Sequence, residues 1–234
     1  MVRAYLYLAV FIPLTFLFSV SAFVSTLVDS SGSLYAWHAR LWARLSLSLN
    51  RVKVTVIGRE NLPDGPVIFM SNHQSNFDIL SLLAAMPRHF HWIAKKELFE
   101  IPLFGHAMRR GGYIPLDRGD GRKALQNLGE AADTIHQGKS VVIFPEGTRT
   151  TDGKLLPFKR GGFVLARKAE VPVVPVTING SGRINPANQT RLYGGNITIT
   201  LHPPAHAPSG LRKSESENWM MEKVRGQIES ALEH

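Results

Sequence analysis

A mixed β-sheet covered by helices, preceded by a membrane-associated helical segment, is the architecture this sequence predicts. Three observations carry that expectation. From Arg51 onward, short apolar runs of strand length alternate with longer runs of helical period, the pattern of an α/β sheet with helices on both faces. Two polar clusters, Asn72–Leu80 and Phe144–Gly153, each lie where a strand ends, the usual place for ligand sites in open α/β sheets. Finally, the 25 residues from Ala4 to Val28 include no charged side chain.

That uncharged run is long enough to cross a hydrocarbon layer of ~30 Å even with some tilt. Pro13 would kink it, which leaves a re-entrant or half-buried helix pair open. Its length, and the Asp29, Ser30 and Ser31 that follow, argue against a cleaved signal peptide. Leu34 to Leu49 mixes Trp37, Leu41, Trp42 and Leu45 with His38, Arg40 and Arg44. Such a helix either lies at the headgroup level or packs on the domain as an ordinary amphipathic helix. Lys and Arg in the next twenty or so residues outnumber the single Arg3 before the run. By the positive-inside rule the body of the protein then sits on the cytoplasmic face of the cell (inner) membrane. Residues 1–50 are expected to anchor the chain, and 51–234 to form the α/β domain.

Within the domain, RVKVTVIG alternates as a strand, Val67–Met70 reads as a buried strand and Ile79–Met86 as a helix. A short strand spans His91–Ala94, a glycine-punctuated helical piece Lys95–Arg109, and another short strand Gly112–Leu116. Leu125, Leu128, Ala132 and Ile135 recur at helical spacing, with Gly138 where a C-cap belongs. Ser140–Phe144 is a strand, Phe163–Lys168 a helix, and Val171–Ile178 a buried strand whose Pro172 and Pro175 argue against a central position. Ile197–Leu201 alternates, Pro203–Gly210 reads as a surface connection, and Trp219–Leu232 as a closing helix.

Composition narrows the chemistry. Apolar residues make up 44% of the 234, enough for a core. Cysteine is absent, which excludes disulfides, a thiol nucleophile and cysteine-type zinc sites. A formal net charge of +9 calls for an anionic partner: nucleic acid, a phosphorylated substrate or an anionic membrane surface.

In the first cluster His73 and Asp78 are five residues apart. On one continuous helix that spacing would turn them roughly 140° away from each other. They meet only if Gln74, Ser75 and Asn76 form a turn, which is the composition turns prefer. A histidine oriented by a carboxylate is what a general base needs, because the acid fixes the tautomer and stabilises the imidazolium. The plainer alternative is that Asn76 or Asp78 caps the helix and His73 is a satisfied strand-end residue. In the second cluster Glu146, Gly147, Thr148 and Arg149 join a carboxylate, a flexible backbone and a guanidinium whose planar fork matches phosphate oxygens. Its plain alternative is a hairpin tip at Thr151, Asp152 and Gly153 with a surface ion pair. Lys95, Lys96, Arg109, Arg110 and Arg118 add positive charge between the two.

With these blocks in order, the chain resembles the glycerolipid acyltransferases of the PlsC type, the 1-acylglycerol-3-phosphate acyltransferases. HxxxxD is His73–Asp78; Lys95, Leu98, Gly105 and Arg118 fit the second block; FPEGTR is Phe144–Arg149; and VPVVPV is Val171–Val176. Thr150 departs slightly, the family often having serine there. The resemblance covers Val67 to Val176 and implies that His73 is the base, that Asp78 orients it, and that Arg149, with Arg118 and Lys95, binds the acceptor's phosphate. It leaves Glu146 either positioning the glycerol hydroxyl or holding Arg149. The implied substrates are lysophosphatidic acid and an acyl thioester, either acyl-CoA or acyl-carrier protein, with membrane lipids as surroundings, no nucleic-acid partner, no metal and no cofactor beyond the donor. A thioester is already activated, and the lack of both cysteine and a GxSxG elbow agrees with direct transfer.

Other readings compete. A different lysolipid could be the acceptor. A metal-dependent phosphoester hydrolase would use His73, Asp78 and Glu146 as ligands, but His89 and His91 are the only tight histidine pair and no block gathers carboxylates. A non-catalytic basic protein that binds membrane or nucleic acid would explain the charge but not two polar loops at strand ends.

Overall fold

The computed structural model describes residues 2–29, 31–117 and 121–233. Ser30 and Arg118, both singled out from the sequence, lie outside the described residues. Two helices open the chain, α1 (Val2–Val28) and α2 (Ser33–Leu49), and α1 runs through Pro13 as one element. The chain reverses at Asp29, whose carboxylate accepts from the N–H of Ser31 and of Leu34 at 2.9 and 2.7 Å.

Behind them lies a seven-stranded sheet. Its strands are β1 (Val52–Ile57), β2 (Ile68–Ser71), β3 (Phe90–Lys95), β4 (Ile114–Leu116), β5 (Ser140–Ile143), β6 (Val173–Asn179) and β7 (Gly195–Leu201). They are ordered β1-β7-β6-β2-β5-β3-β4, and only the β6–β7 pair is antiparallel. The connecting helices are α3 (Asn76–Ala85), α4 (Phe104–Arg110), α5 (Gly121–His136), α6 (Gly161–Ala169), α7 (Ser181–Ile184) and α8 (Lys213–Ser230). Parallel strands need crossovers, and with helices on both faces β2, β5 and β6 are buried along their whole length. The two-residue period divides each strand between two cores. Phe69, Val142 and Val174 pack with residues of α1–α4, while Ile68, Met70, Val141 and Val173 pack with α5, α6 and α8.

Three expectations need correction. The helical piece at Lys95–Arg109 is divided: Lys95 ends β3, a single 3₁₀ turn covers Lys96–Glu100, and α4 begins only at Phe104, after Pro102. Its Gly105 packs against the Phe99 backbone so closely that a Cβ would lie 2.2 Å from the Phe99 carbonyl oxygen. The proline-bearing strand is internal, third from one edge and buried throughout. Pro175 falls one residue before the first pair of the β7 ladder, at Val176, so its missing N–H lies at the end of that ladder and not within it. Its carbonyl still accepts from the His202 N–H at 3.0 Å. The Pro203–Gly210 stretch is more than surface, since Ala205 is buried and exchanges two backbone hydrogen bonds with Val173.

The second helix packs on the domain, the amphipathic alternative of its two readings. Ala43, Ser46 and Leu47 are buried, and Arg40 and Arg44 donate to the carbonyl oxygens of Met86 and Ala84 at the end of α3. These are carbonyls a helix C-terminus leaves unpaired. Trp37 and Leu34 remain exposed, as do Tyr5, Leu6, Ile12 and Phe16 of α1. By length and composition α1 could cross a membrane.

Just beyond β2, Asn72 is 2% exposed and forms a reciprocal pair with Ile178 of β6, donating to its carbonyl at 2.9 Å and accepting from its N–H at 2.7 Å. Replacing Asn72 by Ala orphans both backbone groups. The expected cost is about 1–3 kcal/mol, read as a lower urea midpoint with an unchanged slope; an unmoved midpoint would show that the pair contributes nothing.

Candidate active site

The turn that follows β2 explains the spacing of His73 and Asp78. Ser75 is the N-cap of α3, with extended backbone (φ −154°, ψ 160°), and its hydroxyl accepts from the Phe77 N–H. Asp78 is the third helical residue and completes a capping box by accepting from the Ser75 N–H at 2.8 Å. The same oxygen, Oδ2, accepts from the Gln74 N–H at 2.7 Å and lies 2.8 Å from His73 Nδ1. Helix cap and histidine partner are therefore one carboxylate, fully buried, at the positive end of a helix. With Nδ1–H donating to Asp78, the neutral ring carries its lone pair on Nε2.

The second cluster closes over the first. Strands β2 and β5 are parallel neighbours, so their C-terminal loops lie side by side. Phe144 stacks on the His73 ring with centroids 3.9 Å apart and planes 7° from parallel, and Trp92 of β3 stacks behind Phe144 at 5.5 Å. The Thr150 N–H donates to the His73 carbonyl at 2.9 Å, and the His73 N–H donates to Glu146 at 2.7 Å. The other oxygen of Glu146 accepts from the Leu156 N–H at 2.8 Å. Burial raises the Glu146 pKa, against the pull of those two donors and of His73. Among the described residues, then, Glu146 braces the His73 backbone instead of holding Arg149.

The Arg149 guanidinium bonds Asn76 Oδ1 at 3.1 Å, over the first turn of α3. Gly147 has φ +72°, a backbone conformation that favours glycine, and the end of the Lys159 side chain passes where its Cβ would be, at 2.9–3.0 Å. Lys95 sits on an exposed rim with Glu97 at 3.2 Å, and Thr148 is also exposed. Lys96 pairs with Asp117 at 2.8 Å. A cavity of about 390 Å³ connects these groups: His73, Lys95, Thr148 and Arg149 line it together with the buried Tyr35, Trp92, Met108 and Tyr113. His89 and His91 flank the start of β3, at the opposite end of that strand from Lys95; their ring centroids lie 4.8 Å apart, and the His91 ring also meets Tyr113 edge-on at 6.2 Å. Among the described residues no group of three or more His, Asp or Glu is placed to hold a metal ion.

Sequence reasoning brought together His73, Asp78, Glu146 and Arg149 but missed the parts that hold them. Phe144, Thr150, Asn72 and Asn76 each act across more than seventy residues of sequence or through a backbone atom. Nothing in one chain's composition marks such contacts in advance.

Comparison with known proteins adds a family. The acyltransferase family model matches residues 53–179, more than half of the chain. A chloroplastic 1-acyl-sn-glycerol-3-phosphate acyltransferase of Arabidopsis thaliana is 41% identical over 171 residues, 72% of this chain and 48% of that protein. The chain spans about half the length of that plant relative. A 1-acyl-sn-glycerol-3-phosphate acyltransferase of Pseudomonas aeruginosa is 34% identical over 178 residues, covering 74% of this chain and 68% of its own. The crystal structure of the 1-acyl-sn-glycerophosphate acyltransferase PlsC from Thermotoga maritima superposes with a TM-score of 0.80 at 26% identity, over 98% of this chain and 96% of that one. An α/β sheet with a buried His–Asp pair at its strand ends, an EGTR loop clasping it, and these matches together make this chain a member of the acyltransferase family.

Proposed function

We propose that this protein moves a fatty acyl group from an acyl thioester to the sn-2 hydroxyl of 1-acylglycerol 3-phosphate, giving phosphatidic acid. The observation that carries the reading is the His73 ring, fixed through Nδ1 by Asp78 at 2.8 Å and lining a largely apolar cavity. The names of the relatives support the same substrates. Nε2 takes the proton of the acceptor hydroxyl as its oxygen attacks the thioester carbonyl. The tetrahedral intermediate collapses, the C–S bond breaks, and the thiolate recovers the proton from Nε2. Asp78 stabilises the transient imidazolium. Arg149 holds the acceptor's phosphate, with Lys95 and Thr148 on the same rim and Gly147 letting the backbone pass; Arg118 is assigned the same task from its place in the second block. Glu146 keeps the His73 backbone in register. The donor is acyl-CoA or acyl-carrier protein, and the basic surface suits either.

In this reading residues 1–50 anchor the enzyme and residues 51–234 form the catalytic domain, which faces the cytoplasm at the inner membrane. The exposed apolar side of α1 supports attachment through the lipid layer, so acceptor and product need not cross water.

Truncating His73 to Ala lowers kcat by at least ~100-fold with the fold retained. Asp78→Asn lowers kcat too. Because Asp78 also caps α3, that variant in addition loses about 1 kcal/mol of stability, a paired effect that His73→Ala lacks. Near-full turnover by a folded His73→Ala enzyme would remove the general base from the mechanism.

For Arg149→Ala, KM for lysophosphatidic acid rises and the preference over monoacylglycerol, which has no phosphate, narrows. Arg149→Lys recovers only part of the loss, because the charge returns without the fork. Equal losses on both acceptors would place the phosphate elsewhere.

Membrane attachment through α1 predicts that the full chain resists high salt and alkaline carbonate washes. Complete release by salt alone would contradict an apolar anchor.

A further inference from the structure

The proposed reaction needs two acyl chains at the site at once, one on the donor and one on the acceptor, and two cavities lie against α3. The first lines the His73 ring. The second, also about 390 Å³, is a groove between α1, the start of α3 and residues 185–192, lined by Tyr7, Leu8, Phe11, Phe77, Leu80 and Leu192. Each has the volume expected of a site for one small ligand, roughly 300–1,000 Å³. Trp42 and Ile79 line both and so form the partition. Trp42 is fixed there by its Nε1–H bond to Thr15 at 3.1 Å and by the Phe11 ring at 5.7 Å.

We infer that the second groove holds the acyl chain of the acceptor, resting on the acyl-transfer reading above. The acceptor's phosphate, hydroxyl and chain hang from three adjacent glycerol carbons, so fixing two of them confines the third. With the hydroxyl at His73 Nε2 and the phosphate at Arg149, the chain departs close to Arg149. Arg149 is bonded to Asn76 at 3.1 Å, and Asn76 lies on the rim of the second groove. The opposite rim is tied to the same turn, since the Ser75 hydroxyl donates to the Asn185 carbonyl at 2.9 Å. The donor's carbonyl carbon must lie against His73, so its chain takes the first cavity, of which His73 and Phe144 are walls. The groove also opens on the apolar side of α1: Leu8, one of its walls, is 41% exposed, alongside the exposed Tyr5, Leu6 and Ile12. A lysolipid carried in the membrane can therefore enter sideways, between the anchor and α3.

Two variants narrow the groove from opposite walls, Leu8→Trp and Thr190→Trp, and both positions are exposed, so the core is untouched. Each raises KM for oleoyl lysophosphatidic acid on the order of tenfold, and much less for the hexanoyl acceptor, as expected when a pocket loses room for methylenes. The chain-length profile of the donor stays where it was. Unchanged acceptor KM in both variants, or a shift in the donor profile instead, would overturn the assignment. Photolabelling the wild-type protein with lysophosphatidic acid bearing a diazirine in its acyl chain reads the chain's position without turnover. Label at Tyr7, Phe11 or Leu192 is the expected result. In an inactive protein the same label would sink the proposed reaction while keeping the groove. Label confined to Phe18, Met108 and Tyr113 in an active enzyme would keep the reaction and overturn the groove.

Discussion

Asp78 Oδ2 accepts from the backbone N–H groups of Gln74 and Ser75 and holds His73 Nδ1, all within 2.8 Å, and the geometry of the site depends on that one atom. Two amide donors and the imidazole thus converge on one fully buried oxygen at the first turn of α3. Because the same atom ends the turn and begins the helix, the direction of α3 and the orientation of the imidazole cannot vary independently. The pair is as rigid as the helix start that it belongs to.

That rigidity extends outward through backbone contacts. The His73 N–H and carbonyl are held by Glu146 and Thr150, and its ring face by Phe144. All three come from the loop after β5, and the parallel pairing of β2 with β5 brings that loop alongside. Glu146, in turn, reaches forward to Leu156, which ties the far end of the same loop. A base used in proton transfer gains from this arrangement, because the orienting groups are already paired before substrate arrives and none has to reorganise during reaction.

Around the pair, α3 divides apolar space. Its first turn presents Asn76 to Arg149 on one side, while Ile79 and the Trp42 of α2 separate two cavities of similar size. Helices α1 and α2 therefore do more than trail from the domain. Their inner faces complete the cavity walls and pair the carbonyls at the end of α3, and their outer faces stay apolar and exposed. This places exposed apolar surface directly beside the groove assigned to the acceptor.

The sequence by itself determined the α/β class, the positions of most strands and helices, and the two polar clusters. Each rests on local information: a two-residue or helical period, turn-forming Gln74–Asn76, and Phe144–Gly153 following a buried run. It also singled out His73, Asp78 and Arg149 before their distances were known. What it could not decide was set by non-local pairing. Whether Pro175 could sit in an interior strand depended on where the β7 ladder begins. Whether Glu146 faced Arg149 or the His73 backbone depended on the loop path after β5, and whether Arg40 and Arg44 met headgroups or the end of α3 depended on how α2 docks. A helix cap and a histidine partner look like competing readings of Asp78 along the chain; only in three dimensions do both fall on one oxygen, because an extended Ser75 folds His73 back over the helix start.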